Sequence, residues 1–172
     1  VGNAIFADGA SAAIVRAEAG LANAPRLARL KKFSSRSNRE LIGYMGFQNA
    51  EGRLRVLLSR EVPQAVLPLA EEVIIDLLSD RKLSPADVSR WIVHPGGRRI
   101  LELMDDRWKL GSRLESSWHI LANFGNMSSA TVLFVLADHL KRHAAAAPKE
   151  GELGIMLAMG PGLSVEGVLL EF

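Results

Sequence analysis

Two side chains in this sequence stand where chemistry is commonly done. His94 ends the apolar run of "RWIVHPGG" (residues 90–97), and Asn126 opens "NMSSATVLFVL" (residues 126–136). An imidazole at the end of a buried strand can accept or donate a proton, and strand ends in open α/β sheets are frequent places to present such a group. A carboxamide can donate two hydrogen bonds, so it can hold an oxygen that becomes negative during a reaction. Each residue also has a plain structural reading. A histidine at a strand end is often simply packed, and Asn126, Ser128 or Ser129 could cap the helix that follows.

The rest of the composition limits what those two groups could be part of. The chain has 172 residues, 48% of them hydrophobic, enough to build a sizeable core. There is no cysteine, which excludes disulfides, thiolate metal sites and any cysteine nucleophile from this chain. The four histidines, His94, His119, His139 and His143, are scattered without H-E-x-x-H spacing, so no metal site is expected. "PGG" and "GPG" fit neither phosphate-binding glycine pattern. The net charge of +2 gives no general case for nucleic acid; the basic stretch "RLARLKKFSSRSNRE" (residues 26–40) reads as a solvated surface loop. No run reaches about 18 apolar residues, so no membrane span is expected, and no secretory signal is visible. A cytoplasmic setting follows as the default.

Periodicity places the two residues on elements. In "NAIFADGASAAIV", Ile14 and Val15 suggest a strand, and residues 17–39 read as a connector. "RLRVLL" (53–58) reads as a strand, followed by a helix through Val66, Ala70, Val73, Ile74 and Leu77, with Pro63 at its start and Pro68 kinking it or delaying its first regular turn. "SPAD" opens a short helix, "RWIV" is a buried strand, and "RRILELMDD", the run before Phe124 and residues 128–143 are helical. The end forms two strands joined by "GPG". Strands alternating with helices give the α/β class.

"FADGASAAIV", "VP", "WIVHPGG", "NFGNMSSATVLFVL" and "MGPGLSVEGVLLEF", in this order, resemble the C-terminal half of a type III polyketide synthase of the chalcone and stilbene synthase family. The resemblance implies a thiolase-like fold with a layered mixed sheet and packed helices. Residues 1–40 would be the end of the N-terminal half and connector, and residues 41–172 the C-terminal domain. It also implies an acyltransferase that extends a coenzyme A-linked starter with malonyl-CoA through a Cys-His-Asn triad, usually as a homodimer, with acyl-CoA and malonyl-CoA as substrates and no other cofactor. The triad histidine carries over to His94 and the asparagine to Asn126. Phe6 matches a phenylalanine lining the passage from the coenzyme A tunnel to the cavity. Val56 stands where the family often has a second cavity phenylalanine, which implies a wider pocket. Ser128, Met159, Gly160, Pro161 and Gly162 are the other expected cavity residues, and Arg99 an expected coenzyme A contact.

The triad cysteine of the family lies in the other half. Its absence here, with Val1 as an apparent internal start, leads to the expectation of a partial enzyme, inactive alone, whose partner is the missing N-terminal half. Asn126 is expected to face the active site while the serines cap the helix. Competing readings are another thiolase-fold condensing enzyme, such as a ketoacyl carrier protein synthase initiating fatty-acid synthesis, and a non-catalytic interaction domain.

Overall fold

Alternation along three strands decides the architecture. In β4 (Arg90–Val93), Trp91 and Val93 join one apolar cluster and Ile92 another. β5 (Leu153–Gly160) divides likewise, Ile155 and Leu157 against Met156. So does β6 (Ser164–Glu171), with Val165 and Leu169 against Val168 and Leu170. Successive side chains of a strand point to opposite faces, so two apolar sets demand helices on both sides of the sheet. The computed structural model, which describes residues 5–17, 27–143, 149 and 151–172, has that arrangement.

The sheet has four strands in the order β1-β6-β5-β4, β1 being Arg29–Ser37. β5 and β6 form the expected antiparallel hairpin, from Leu153 opposite Glu171 to Gly160 opposite Ser164. β4 lies parallel to β5. Parallel neighbours need a long crossover. Here it holds α2 (Arg98–Trp108), α3 (Glu115–Phe124) and α4 (Thr131–Arg142). A separate antiparallel ribbon, β2 (Met45–Ala50) and β3 (Arg53–Leu58), turns through Glu51 and Gly52, both at positive φ.

One face is covered by α1 (Val62–Ser79), which buries Val66, Leu69, Ala70, Val73, Ile74, Leu77 and Leu78. Those spacings of three and four form a single stripe. Pro63 falls in the first turn as expected; Pro68 lies inside the helix and does not delay its start. "SPAD" gives one 3-10 turn, Pro85–Asp87, with the Asp87 carboxylate accepting from the Ser84 N–H at 2.8 Å.

Two expectations are corrected. Part of the segment read as a connector, with most of the basic stretch read as a surface loop, is edge strand β1; residues 18–26 lie outside the described residues. Alternate positions explain it. Ser34 Oγ donates to Asp76 Oδ2 at 2.6 Å, Lys32 Nζ reaches Asp80 Oδ2 at 2.9 Å, and Arg36 approaches Glu72 and Asp76 at 3.5 Å. The cations are therefore matched to the acidic edge of α1, a pairing that local composition cannot display. Ile14 and Val15 form no strand; residues 8–17 have no regular structure, and both side chains are exposed.

Gly167 in β6 sits directly beneath α1, where an added Cβ would lie 2.3 Å from Val73 Cγ1 and 3.0 Å from Leu77 Cδ1. Gly167→Ala should therefore push the helix off the sheet and lower folding stability by about 1–3 kcal/mol. Urea denaturation followed by circular dichroism measures this, and an unchanged midpoint would contradict the close packing.

Candidate active site

β4 delivers His94 to the carboxyl end of the sheet. Its N–H donates to Leu157 O at 2.8 Å, continuing the parallel ladder one residue past the strand, and its own carbonyl accepts from Gly96 N at 3.0 Å. Pro95 cannot extend the ladder. Ser117 Oγ, on α3 and fully buried, donates to Val93 O at 2.8 Å and satisfies the carbonyl just before the histidine. The backbone is thus held on three sides. The ring is 4% exposed and has no hydrogen bond to any described residue. Burial disfavours the imidazolium and lowers its pKa to about 4, so the ring is neutral near pH 7.

Asn126 arrives from the crossover, between α3 and α4. Its backbone forms an isolated parallel bridge with the start of the chain: Asn126 N donates to Ile5 O and Ala7 N donates to Asn126 O, both at 2.9 Å. Gly125 has φ +74°, and a Cβ there would lie 3.1 Å from Ile5 O, so both its backbone angle and its space favour glycine. The Asn126 side chain is buried, with Oδ1 accepting from Ser128 N at 2.8 Å and Nδ2 donating to Gly96 O at 3.3 Å. A backbone N–H can only donate and a carbonyl only accept, so the network fixes which end of the amide is which.

His94 and Asn126 therefore converge on one glycine. A Cβ on Gly96 would be 3.6 Å from the His94 ring and 3.7 Å from Met159 Sδ, and the Gly96 carbonyl is the Asn126 acceptor. Met159 belongs to this cluster. Phe6 is brought beside Asn126 through the backbone bridge, with its side chain 37% exposed. Gly160 ends β5, and Pro161 and Gly162 lie in the β5–β6 turn, which is tied to β2 by Gly162 N donating to Met45 O at 2.7 Å. Val56 lies on β3 opposite Phe47 and is exposed, on a different sheet from His94. Arg99, in the first turn of α2, pairs with Glu102 at 3.1 Å.

The expected division of labour around Asn126 is corrected. Neither Ser128 nor Ser129 makes a side-chain cap bond at the start of α4. Asn126 Oδ1 takes the Ser128 N–H itself, while Thr131 Oγ1 accepts from Met127 N and donates to Ser128 O, both at 2.8 Å. Ser128 has φ +57°, which turns its N–H back towards the amide. Sequence reasoning missed Thr131 and Ser117, because a hydroxyl bonding the backbone has no signature beyond its residue type. Among the described residues no group of three or more His, Cys, Asp or Glu could hold a metal ion, and no helix is long and apolar enough to cross a membrane.

The buried ring has a measurable consequence. Unfolded His94 takes up a proton near pH 6.5 and folded His94 only near 4. His139 behaves likewise, its pKa lowered to about 4 chiefly by burial. Between those values the unfolded chain binds more protons, so stability is full above about pH 6.5 and falls as pH drops towards 4. Urea melts from pH 7 to 5 should show this loss, and His94→Gln should flatten part of the slope; an unaltered slope would contradict the burial argument.

Comparison with known proteins gives the family and the fold of the chain. Residues 40–172 match the family "Chalcone and stilbene synthases, C-terminal domain". The chain is 36% identical over 176 aligned positions to 1,3,6,8-tetrahydroxynaphthalene synthase of Streptomyces peucetius subsp. caesius, covering 100% of this chain and 45% of that protein. Among solved structures, a type III pentaketide synthase from Neurospora crassa superposes with a TM-score of 0.74 at 30% identity, over 86% of this chain and 41% of that one. PKS-I from the brown alga Ectocarpus siliculosus gives 0.76 at 29% identity, over 87% and 41%. The chain thus spans less than half the length of these relatives. Its mixed sheet and packed helices are those of the C-terminal part of a thiolase-type condensing fold, without a catalytic cysteine of its own. The chain belongs to the chalcone and stilbene synthase family, of which it carries the C-terminal domain.

Proposed function

We propose that this chain is the His- and Asn-bearing part of a type III polyketide synthase, which condenses malonyl-CoA by decarboxylation onto a starter derived from an acyl-CoA. His94 and Asn126 are its catalytic residues, and a cysteine-bearing half is the partner that completes the site. The observation that carries this reading is the Asn126 amide. Its oxygen is occupied by Ser128 N, so its nitrogen is turned towards the segment that follows His94. A cap would need only the oxygen.

The chemistry follows from the two side chains. A neutral His94 can take the proton of a thiol and leave a thiolate. That thiolate attacks the acyl-CoA carbonyl; the carbon–sulfur bond to coenzyme A breaks, and the departing thiolate regains the proton. Malonyl-CoA then loses carbon dioxide. The electron pair left behind moves onto the thioester oxygen, where the ring N–H and the Asn126 N–H are the donors. Collapse of this enolate forms the carbon–carbon bond to the cysteine-held acyl group and releases the cysteine. The Gly96 bond to Nδ2 is long at 3.3 Å and is readily exchanged for a charged oxygen. Met159 and Phe6 would bound the cavity beside these groups, with Ser128, Val56 and the Gly160, Pro161 and Gly162 turn further round it. Arg99 would contact coenzyme A by leaving Glu102. Homodimeric assembly and a cytoplasmic setting complete the proposal.

Two substitutions separate the catalytic role from the turn-forming one, tested in the protein joined to its cysteine-bearing half. Asn126→Asp keeps an acceptor for Ser128 N and removes the donor; decarboxylation of malonyl-CoA should fall about 100-fold or more. Asn126→Ala loses both functions and should also cost about 1 kcal/mol of stability. Wild-type decarboxylation by Asn126→Asp would overturn the assignment. Repeated extension from free malonyl-CoA is expected; a single condensation requiring a carrier protein would favour the fatty-acid-initiating class instead.

A further inference from the structure

We infer that Thr131 is a positioning residue for the Asn126 amide, holding the turn in which that amide is oriented while touching no substrate itself. This rests on the reading of Asn126 as the oxyanion donor. Thr131 is the first residue of α4 and is fully buried. Its hydroxyl is used at both ends: Oγ1 accepts from Met127 N at 2.8 Å and donates to Ser128 O at 2.8 Å. Those two groups belong to the peptide planes on either side of the one that contains Ser128 N. That middle plane supplies the bond to Asn126 Oδ1.

The clamp is needed because Ser128 is held at φ +57°, a conformation that side chains other than glycine rarely adopt. Released, the Ser128 peptide would relax out of the left-handed region and carry its N–H away from Asn126. The amide would then lose the contact that distinguishes its oxygen from its nitrogen. Rotation by half a turn would set its oxygen against the Gly96 carbonyl and withdraw the donor. The chain of control runs from the Thr131 hydroxyl to the Ser128 peptide, and from there to the Asn126 side chain. The bridge from Ile5 and Ala7 fixes the Asn126 backbone, and the hydroxyl fixes the side chain.

The first test uses this chain alone and reads no activity. In a 15N-labelled sample, the Asn126 side-chain NH2 pair is assigned by its disappearance in Asn126→Asp. Thr131→Ser, which keeps a hydroxyl, should leave the pair in place. Thr131→Val should move it to the position of a solvated amide and speed its hydrogen exchange about tenfold or more, with other signals still dispersed. An unmoved pair in Thr131→Val overturns the inference. So does collapse of the whole spectrum in both Thr131→Val and Thr131→Ala, which would make Thr131 a folding residue.

A second test uses the protein joined to its cysteine-bearing half. Thr131→Val should lower kcat for malonyl-CoA decarboxylation about tenfold or more with KM unchanged. Adding it to Asn126→Asp should lower the rate no further, because it acts through that amide. An additive loss overturns the inference. If Asn126→Asp keeps the wild-type rate, the functional reading fails, while the NH2 signals still decide whether Thr131 positions the amide.

Discussion

The parallel pairing of β4 with β5, prolonged by the His94 N–H to Leu157 carbonyl bond, governs the rest of the arrangement. Two strands that run the same way cannot be joined by a tight turn, so the chain must leave the end of β4, cross a face of the sheet and return. Everything between His94 and β5 is that return path. It makes α2 begin just after the glycines, sets Ser117 of α3 against the last β4 carbonyl, and brings the turn before α4 back to Gly96. The convergence of a histidine and an asparagine 32 positions apart in sequence is therefore a product of strand direction.

Polar groups buried around this point are satisfied in an uneven way. Ser117, Asn126 and Thr131 each have partners, and all are backbone atoms. The His94 ring has none among the described residues, though its backbone is tied on both sides. Burial of that ring disfavours its charged form, at a cost to stability whenever it is protonated. Apolar burial elsewhere offsets such a cost, and the sheet faces supply it: Trp91, Val93, Ile155, Leu157 and Leu169 pack against α1 and its neighbours. A packed frame thus carries an imidazole whose own environment is unfavourable to charge.

Much of this was legible in the residues. Strand β4, the terminal hairpin, the long stripe of α1 and the helices after His94 follow from period and from punctuation by proline and glycine. The two candidate side chains were marked by their places at element ends and, through the family resemblance, by "HPGG" and "GNMSS". What was not legible depends on partners far away in sequence. The strand at Arg29–Ser37 looks like a polar linker until Asp76 and Asp80 are placed across from it. Ile14 and Val15 have strand propensity but no neighbouring strand to realise it. The serines of the motif have the preferred types for caps, yet the asparagine oxygen lies nearer the N–H that matters. Propensity speaks for a residue alone, whereas a hydrogen bond is settled by competition among all groups within reach.

The bridge between Phe6 and Asn126 has a kinetic meaning as well as a geometric one. It closes a loop of about 120 residues with two backbone hydrogen bonds. Closure of so long a loop costs entropy that no local contact repays, so such pairings form after the elements between them have packed. During synthesis, residues 5–7 emerge long before Asn126 exists. By this argument the helices, the crossover and the turn at Gly125 pack first, and residues 5–7 are then laid against a surface already made.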